Sequence, residues 1–295
     1  MCTSPVIKKI ACIKDGKFIL KSLTSFERHC SIDDIVSMYD SNELIFLPCG
    51  KCDECRISYR RDWATRCIME ASSSKKSYFL TLTYNDDNLP FDNKLKKDDL
   101  LKFFKDLRNR GQTIKYLACG EYGSLTHRPH YHAIIFNLEI DDFQPLGDNK
   151  GFSSKFLSSL WKKGFIYISE MNEATANYVA GYTTKKIGKG DEFLIFSKSL
   201  GKTYALNNIE RLKKDKGIYV NGSFRSLPRY IKKLVFKDLS VLEKWKAMSL
   251  AFDKQIFLSY LERYVNDNKK GDLIACYNER FKINKLYKKV RNLKF

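Results

Sequence analysis

Three of the chain's four histidines fall in HRPHYHAIIF, residues 127–136. His130 and His132 are two positions apart and lead straight into an apolar run. If that run is a strand, successive side chains alternate between faces and the two imidazoles stand side by side. Such a pair can bind one divalent ion while leaving positions for another ligand and a substrate oxygen. It fits equally a half-buried strand whose histidines hydrogen-bond locally. Glu121, in the upstream GEYG, ends the neighbouring strand and could serve as a third ligand, supplying the charge that two imidazoles lack. His127, in the connecting loop before Pro129, is a weaker substitute.

A second group is NYVAGYTTKK, residues 177–186. On a helix Tyr178 and Tyr182 are i and i+4, with Cβ atoms about 6 Å apart on one face. Lys185 and Lys186 continue the same stripe. The plain reading makes the tyrosines core anchors and the lysines a solvated edge. Beside a phosphate the same residues have chemistry, because a phenol can attack phosphorus and a cation can stabilise the charge that develops. A third group is CGKCDEC, in which Cys49, Cys52 and Cys55 have the spacing of a zinc knuckle. Cys67, Cys12 or Cys2 could complete a tetrahedral Zn2+ site; reduced structural thiols are the alternative.

The elements that must position these residues read as follows. RISYRRDWATRCIMEA (56–71) has helical spacing, with Tyr59, Trp63 and Cys67 on one face. YFLTLTY (78–84) is a strand ended by the turn-forming NDDNLP. DDLLKFFKDLRNRG (98–111) is a helix with acidic residues in its first turn and a closing Gly. TIKYLAC (113–119) and HYHAIIF (130–136) are strands, SSKFLSSLWKKG (153–164) a helix, FIYIS (165–169) a strand, and NEATANYVAGYTTKK (172–186) a final helix. The order β-α-β-β-α-β-α predicts an α+β fold, a ferredoxin-like split βαβ with an antiparallel sheet and helices on one face. YFLTLTY and HYHAIIF would be its central strands, with the histidines on the face turned away from the helices. The first 47 residues give no firm reading, and the stretch from about Leu234 to Phe295 reads as mainly helical.

Composition narrows the partners. With 295 residues, 43% hydrophobic and 14% aromatic, the chain can bury a substantial core. Lys and Arg number 53 against 34 Asp and Glu, a net charge of +19, which suits a polyanion. No apolar run approaches the ~20 residues of a membrane span, so nucleic acid is the expected partner and a membrane is not. From Gly181 to Lys233 thirteen basic residues face four acidic ones, interleaved with Tyr204, Tyr219, Phe224 and Tyr230. Arg56, Arg60, Arg61, Arg128, Arg225 and Arg229 are the candidate DNA contacts. Nine cysteines without a secretion signal point to a reducing cytoplasm.

HYH with the upstream GEYG and RP, the FLTLTY strand and YVAGYTTKK together resemble the three motifs of HUH endonucleases that initiate rolling-circle replication. The likeness is closest to the initiators of small single-stranded DNA bacteriophages, the microviruses, in particular the gokushoviruses. It extends to the MCTSP start, LPCGKCDECRISYRRDWATRC and SLPRYIKK, covering most of residues 1–235. The resemblance implies that His130 and His132 bind Mg2+ or Mn2+. It also implies that Tyr178 and Tyr182 alternate as nucleophiles on single-stranded origin DNA, through a covalent 5′-phosphotyrosine and a free 3′-OH. Host helicase and polymerase would be partners, in the cytoplasm of an infected bacterium. The corresponding organisation is an N-terminal arm with the Cys cluster (1–76), an HUH core (77–190), a basic DNA-binding extension (191–235) and a helical accessory segment (236–295). A zinc hydrolase would leave the tyrosines and the basic surface without a role. A non-catalytic single-strand-binding protein is the alternative to be tested.

Overall fold

A computed structural model of the chain describes residues 6–14, 17–25, 38, 44–147, 151–182 and 192–236. The helical accessory segment expected over 236–295, apart from Phe236, lies outside the described residues. The chain divides into two compact units, one of them Arg56–Val235. In the other, β1 (Val6–Lys14) pairs antiparallel with β2 (Lys17–Ser22) and β3 (Leu44–Leu47), in the order β2-β1-β3. Short apolar pieces cut by charges hide these strands from any periodicity reading.

The larger unit opens with α1 (Asp53–Ala71), which leads into β4 (Ser77–Tyr84), α2 (Lys97–Asn109), β5 (Lys115–Tyr122) and β6 (Pro129–Phe136). Next come β7 (Phe143–Pro145), β8 (Phe152–Ser154), α3 (Lys155–Trp161), β9 (Gly164–Glu170), α4 (Glu173–Gly181) and β10 (Phe193–Phe196). The unit ends with α5 (Lys202–Asn207), α6 (Ile209–Asp215), β11 (Gly217–Val220), β12 (Ser223–Ser226) and α7 (Arg229–Val235). Seven strands form one sheet in the order β10-β5-β6-β4-β9-β8-β7, with β6 and β4 at its centre as expected. All its pairings are antiparallel. The short edge strands β7, β8 and β10 were not anticipated. Three or four residues are too few for an alternation to register.

Each element follows from its sequence. In β4, Leu80, Leu82 and Tyr84 are fully buried on one face while Phe79, Thr81 and Thr83 point to the other. Leu100, Phe103, Phe104 and Leu107 form the apolar stripe that α2 lays on the first face, together with Leu157 and Trp161 of α3. α3 starts at Ser154, whose hydroxyl accepts from the Leu157 N–H. α4 starts in a reciprocal capping box between Asn172 and Thr175.

The expectation of helices on one face needs correction. The histidine face also carries Phe79, Leu117, Ile134 and Phe136, and these pack with Trp63, Ala64 and Cys67 of α1 and Ala176, Val179 and Ala180 of α4. That much apolar surface cannot be left in water, so helices cover both faces. Only the end of the face nearest His130 remains for a site. Among the described residues no helix is long and apolar enough to cross a membrane.

One close approach offers a stability test. Gly164 has φ +153°, and a Cβ there would meet the backbone of Thr83, Tyr84 and Asn85. The Asn85 N–H donates to the Lys163 carbonyl at 2.9 Å, so the strands cannot easily part. Gly164→Ala is expected to cost about 2 kcal/mol. For a unit of this size the melting temperature should drop by roughly 4–8 °C, readable by circular dichroism. An unchanged melting temperature would show that β4 and β9 are less tightly apposed.

Candidate active site

Register assembles the site. Glu121 on β5 lies directly opposite His130 on β6, and Cys119 opposite His132. Facing residues have Cβ atoms about 5 Å apart and diagonal neighbours remain within reach of long side chains. One carboxylate oxygen, Glu121 Oε1, thus lies 3.2 Å from His130 Nε2 and 2.7 Å from His132 Nε2. All three side chains are largely buried. Their candidate ligand atoms lie within 4.8 Å of one another.

The outer nitrogens orient the rings. His130 Nδ1 is 3.1 Å from the Arg128 carbonyl, which can only accept, so Nδ1 carries the proton. Its Nε2 lone pair then faces a carboxylate oxygen. Two acceptors at 3.2 Å call for a positive charge between them, either a second imidazole proton or a cation. His132 Nδ1 is hydrogen-bonded to the Thr81 hydroxyl at 3.0 Å, and the Phe79 ring stacks on His132 at 5.4 Å and 12°. A backbone carbonyl and a hydroxyl behind two imidazoles is the usual support for metal-binding histidines. Two nitrogens and one buried carboxylate therefore suit a divalent cation.

α4 brings the phenols to this cluster. The Tyr178 hydroxyl donates to Glu121 Oε1 at 2.6 Å and lies 3.4 Å from His132 Nε2. The Tyr182 hydroxyl in turn donates to the Tyr178 oxygen at 3.2 Å. The two differ in access: Tyr178 is 44% exposed, Tyr182 only 7%. The described helix ends at Gly181, but Tyr182 keeps helical backbone angles as its C-cap, so the i, i+4 relation holds. Lys185 and Lys186 lie outside the described residues.

Ionisation follows from this geometry. Burial works to raise the Glu121 pKa, but hydrogen bonds from His130, His132 and Tyr178 prevail and hold it well below the carboxylate range. The Tyr178 phenol is pushed up, first by burial and then by its hydrogen bond to the Glu121 carboxylate. A protonated phenol beside an anion is the resting state, and a positive charge placed on Glu121 would relieve the penalty on the phenolate.

Residues 77–187 match a family described as replication-associated protein ORF2. Over 221 residues the chain is 38% identical to the replication-associated protein ORF2 of Spiroplasma virus 4, spanning 66% of this chain and 68% of that protein. The chain belongs to this family of replication-associated proteins. It is also 32% identical over 250 residues to the replication-associated protein VP4 of Bdellovibrio phage phiMH2K, 77% of each chain. To the replication-associated protein ORF4 of Chlamydia phage 1 it is 34% identical over 218 residues, 66% of this chain and about half, 54%, of that one. No solved structure matches the chain. In this replication-associated protein the family segment runs from β4 past α4, so it contains the whole cluster of Thr81, Glu121, His130, His132, Tyr178 and Tyr182.

The other predicted site residues are distributed as follows. His127 stays in an exposed turn at φ +50°, outside the cluster. Arg128 donates to the Tyr84 carbonyl and pairs with Asp86 at 2.7 Å, which fixes the carbonyl that orients His130. Arg60 Nε donates to the Asn177 carbonyl at 2.8 Å, tying α1 to α4 beside Tyr178. Arg225 is turned inward onto Glu173, the first residue of α4, so its position is that of an anchor. Arg61 and Arg229 are exposed and Arg56 half-exposed, leaving them available to a ligand. The thiols of Cys49, Cys52 and Cys55 gather. Cys67 does not join them: it is fully buried among apolar side chains, and burial pushes its thiol up to about 12. Cys67 as fourth ligand is therefore corrected. Helical periodicity placed it with Trp63, and that apolar face became core.

Thr81, Phe79 and Glu173 were not singled out from sequence. The signal for Thr81 and Phe79 was the alternation of β4, readable only once β4 is known to pair with β6 as Thr81↔His132. For Glu173 no local signal exists.

Proposed function

We propose that this chain is a replication initiator endonuclease that nicks and rejoins single-stranded phage origin DNA through a phosphotyrosine. The observation that carries the reading is the Tyr178 hydroxyl 2.6 Å from a carboxylate that also touches both imidazoles. Glu121, His130 and His132 would hold the cation, and two nitrogen donors favour Mn2+ over the harder Mg2+. Bound there, the ion would act as a Lewis acid on the scissile phosphoryl oxygen.

The chain's own groups do the rest. Tyr178 Oη forms a bond to phosphorus as the P–O3′ bond breaks; its proton has the Glu121 carboxylate as acceptor at hand, and the departing 3′-oxygen leaves as a hydroxyl. The product is a 5′-phosphotyrosine and a 3′-OH that a host polymerase can extend. One ester replaces another, so attack of a 3′-OH on the adduct reverses the step and rejoins the strand. Tyr182, one turn further on, can break a second bond while Tyr178 is still linked. Lys185 and Lys186 are proposed to balance the phosphate charge.

The test is incubation of the full chain with Mn2+ and single-stranded oligonucleotides tiling the replicon that encodes it. A denaturant-resistant adduct, mapped by peptide mass spectrometry to Tyr178 or Tyr182, is expected. Binding without any adduct would sink the nuclease reading and favour the non-catalytic one.

We infer in addition that Cys49, Cys52 and Cys55 hold a structural Zn2+. Cys49 and Cys55 sulfurs are 4.0 Å apart, close to the ~3.8 Å that tetrahedral Zn–S bonds of about 2.3 Å require. The N–H groups of Lys51 and Cys52 donate to Cys49 Sγ at 3.4 and 3.2 Å, which stabilises a thiolate. Cys2, one of the suggested fourth ligands, lies outside the described residues. Elemental analysis of the purified chain should find one zinc per molecule, lost in Cys52→Ser and retained in Glu121→Ala. Zinc absent from the wild type, or retained by the serine variant, would return these thiols to an ordinary structural role.

A further inference from the structure

The β11–β12 hairpin has no part in the chemistry above, yet it is tightly built and firmly held. Its turn, Asn221-Gly222, has both residues left-handed, at φ +47° and +75°, as a tight two-residue hairpin requires. One face carries Ile218 and Val220, both buried. The other carries Tyr219 and Phe224, which oppose each other across the strands with rings 5.6 Å apart. They are 64% and 53% exposed, although both are large aromatics. Gly217 lies beneath the Phe224 ring, where any Cβ would collide with it, so that ring is seated rather than loose.

Glu173 fixes this hairpin to the nucleophile helix. Its carboxylate takes Arg225 of β12 on one oxygen and the Asn221 amide, at 2.7 Å, on the other. Glu173 is the first residue of α4 and Tyr178 is five residues on, about 7.5 Å along the helix axis. Exposed Lys214 and Lys216 lead into the hairpin, so its approach is positively charged.

We propose that Tyr219 and Phe224 form a stacking platform for bases of single-stranded DNA flanking the phosphate attacked by Tyr178. The inference rests on the nuclease reading and adds to it the element that holds the strand. Bases have π-faces and phosphates have charge, so an aromatic pair on a basic hairpin fits an unpaired strand. In a duplex the bases are already stacked and offer such rings no face. Arg225 is accordingly a positioning residue, acting through the hairpin.

The experiment uses the full chain carrying Tyr178→Phe and Tyr182→Phe, without added divalent ion, so that binding is read apart from cleavage. Fluorescence anisotropy is measured with a labelled single-stranded oligonucleotide and with its duplex. Adding Tyr219→Ala and Phe224→Ala should weaken single-strand binding by about 10- to 100-fold. Duplex binding and the slope of log K against log salt should stay unchanged, since stacking releases no counterions. Tyr219→Trp with Phe224→Trp should restore the affinity, which a mere folding defect would not permit. Unchanged single-strand affinity in the alanine variant, or an equal loss on the duplex, would overturn the platform. The two readings fail separately. Hairpin-dependent binding by a wild type that forms no adduct removes the nuclease reading alone, and normal adduct with hairpin-independent binding removes the platform alone.

Discussion

Tyr178→Phe is expected to abolish the first cleavage, lowering adduct formation on the order of 10^3-fold or more, as loss of a nucleophile does. Tyr182→Phe should keep that first cleavage within about tenfold. The asymmetry comes from tertiary position. Tyr178 touches Glu121 and His132 and is nearly half exposed, whereas Tyr182 is buried and reaches the cluster only through the Tyr178 oxygen. The Tyr182 variant should instead fail at a second cleavage or at rejoining, because a linked Tyr178 leaves no other phenol on that face. Quantifying adduct and religated product on denaturing gels, with both single variants and the double variant, separates these steps. Equal adduct from Tyr178→Phe and the wild type would mean that Tyr182 opens the reaction and that this arrangement is not the attacking one.

Glu121→Ala carries the other large effect. It removes the carboxylate shared by His130, His132 and Tyr178, and with it the negative charge that recommends the site to a divalent ion. A loss of about 4 kcal/mol of metal-supplied charge stabilisation corresponds to roughly 10^3-fold in cleavage rate. His130→Ala should act in the same direction, and both variants should retain salt-sensitive DNA binding, which depends on the basic surface. Titration of Mn2+ by calorimetry gives a second readout: binding seen in the wild type should vanish in Glu121→Ala. Full cleavage by that variant would make the three residues a structural hydrogen-bond cluster.

The strongly patterned parts of the fold were legible. β4, β6 and α2 were read nearly to their ends because each buries one face against a single core, and burial writes a period of two or 3.6 into the residues. The N-terminal sheet, β7, β8 and β10 were not, since three to nine residues interrupted by charge leave no period to detect. Covering of the histidine face by α1 was missed for another reason. α1 has arginines on most of its circumference, so its thin apolar seam at Trp63, Ala64 and Cys67 looks minor until Phe79, Ile134 and Phe136 are seen to need a lid.

The sequence by itself determined the ingredients: two imidazoles on one strand face, two phenols on one helix face, a carboxylate nearby and a charge of a sign that attracts nucleic acid. These are matters of local period and of counting. Only the tertiary structure decided that Glu121 stands opposite His130, that Tyr178 rather than Tyr182 meets them, and that Arg225 and Arg60 hold α4. Strand register and long-range ion pairs depend on how the whole sheet and its covering helices pack together. Arg225 finds Glu173 fifty-two residues away, and no local pattern carries that information.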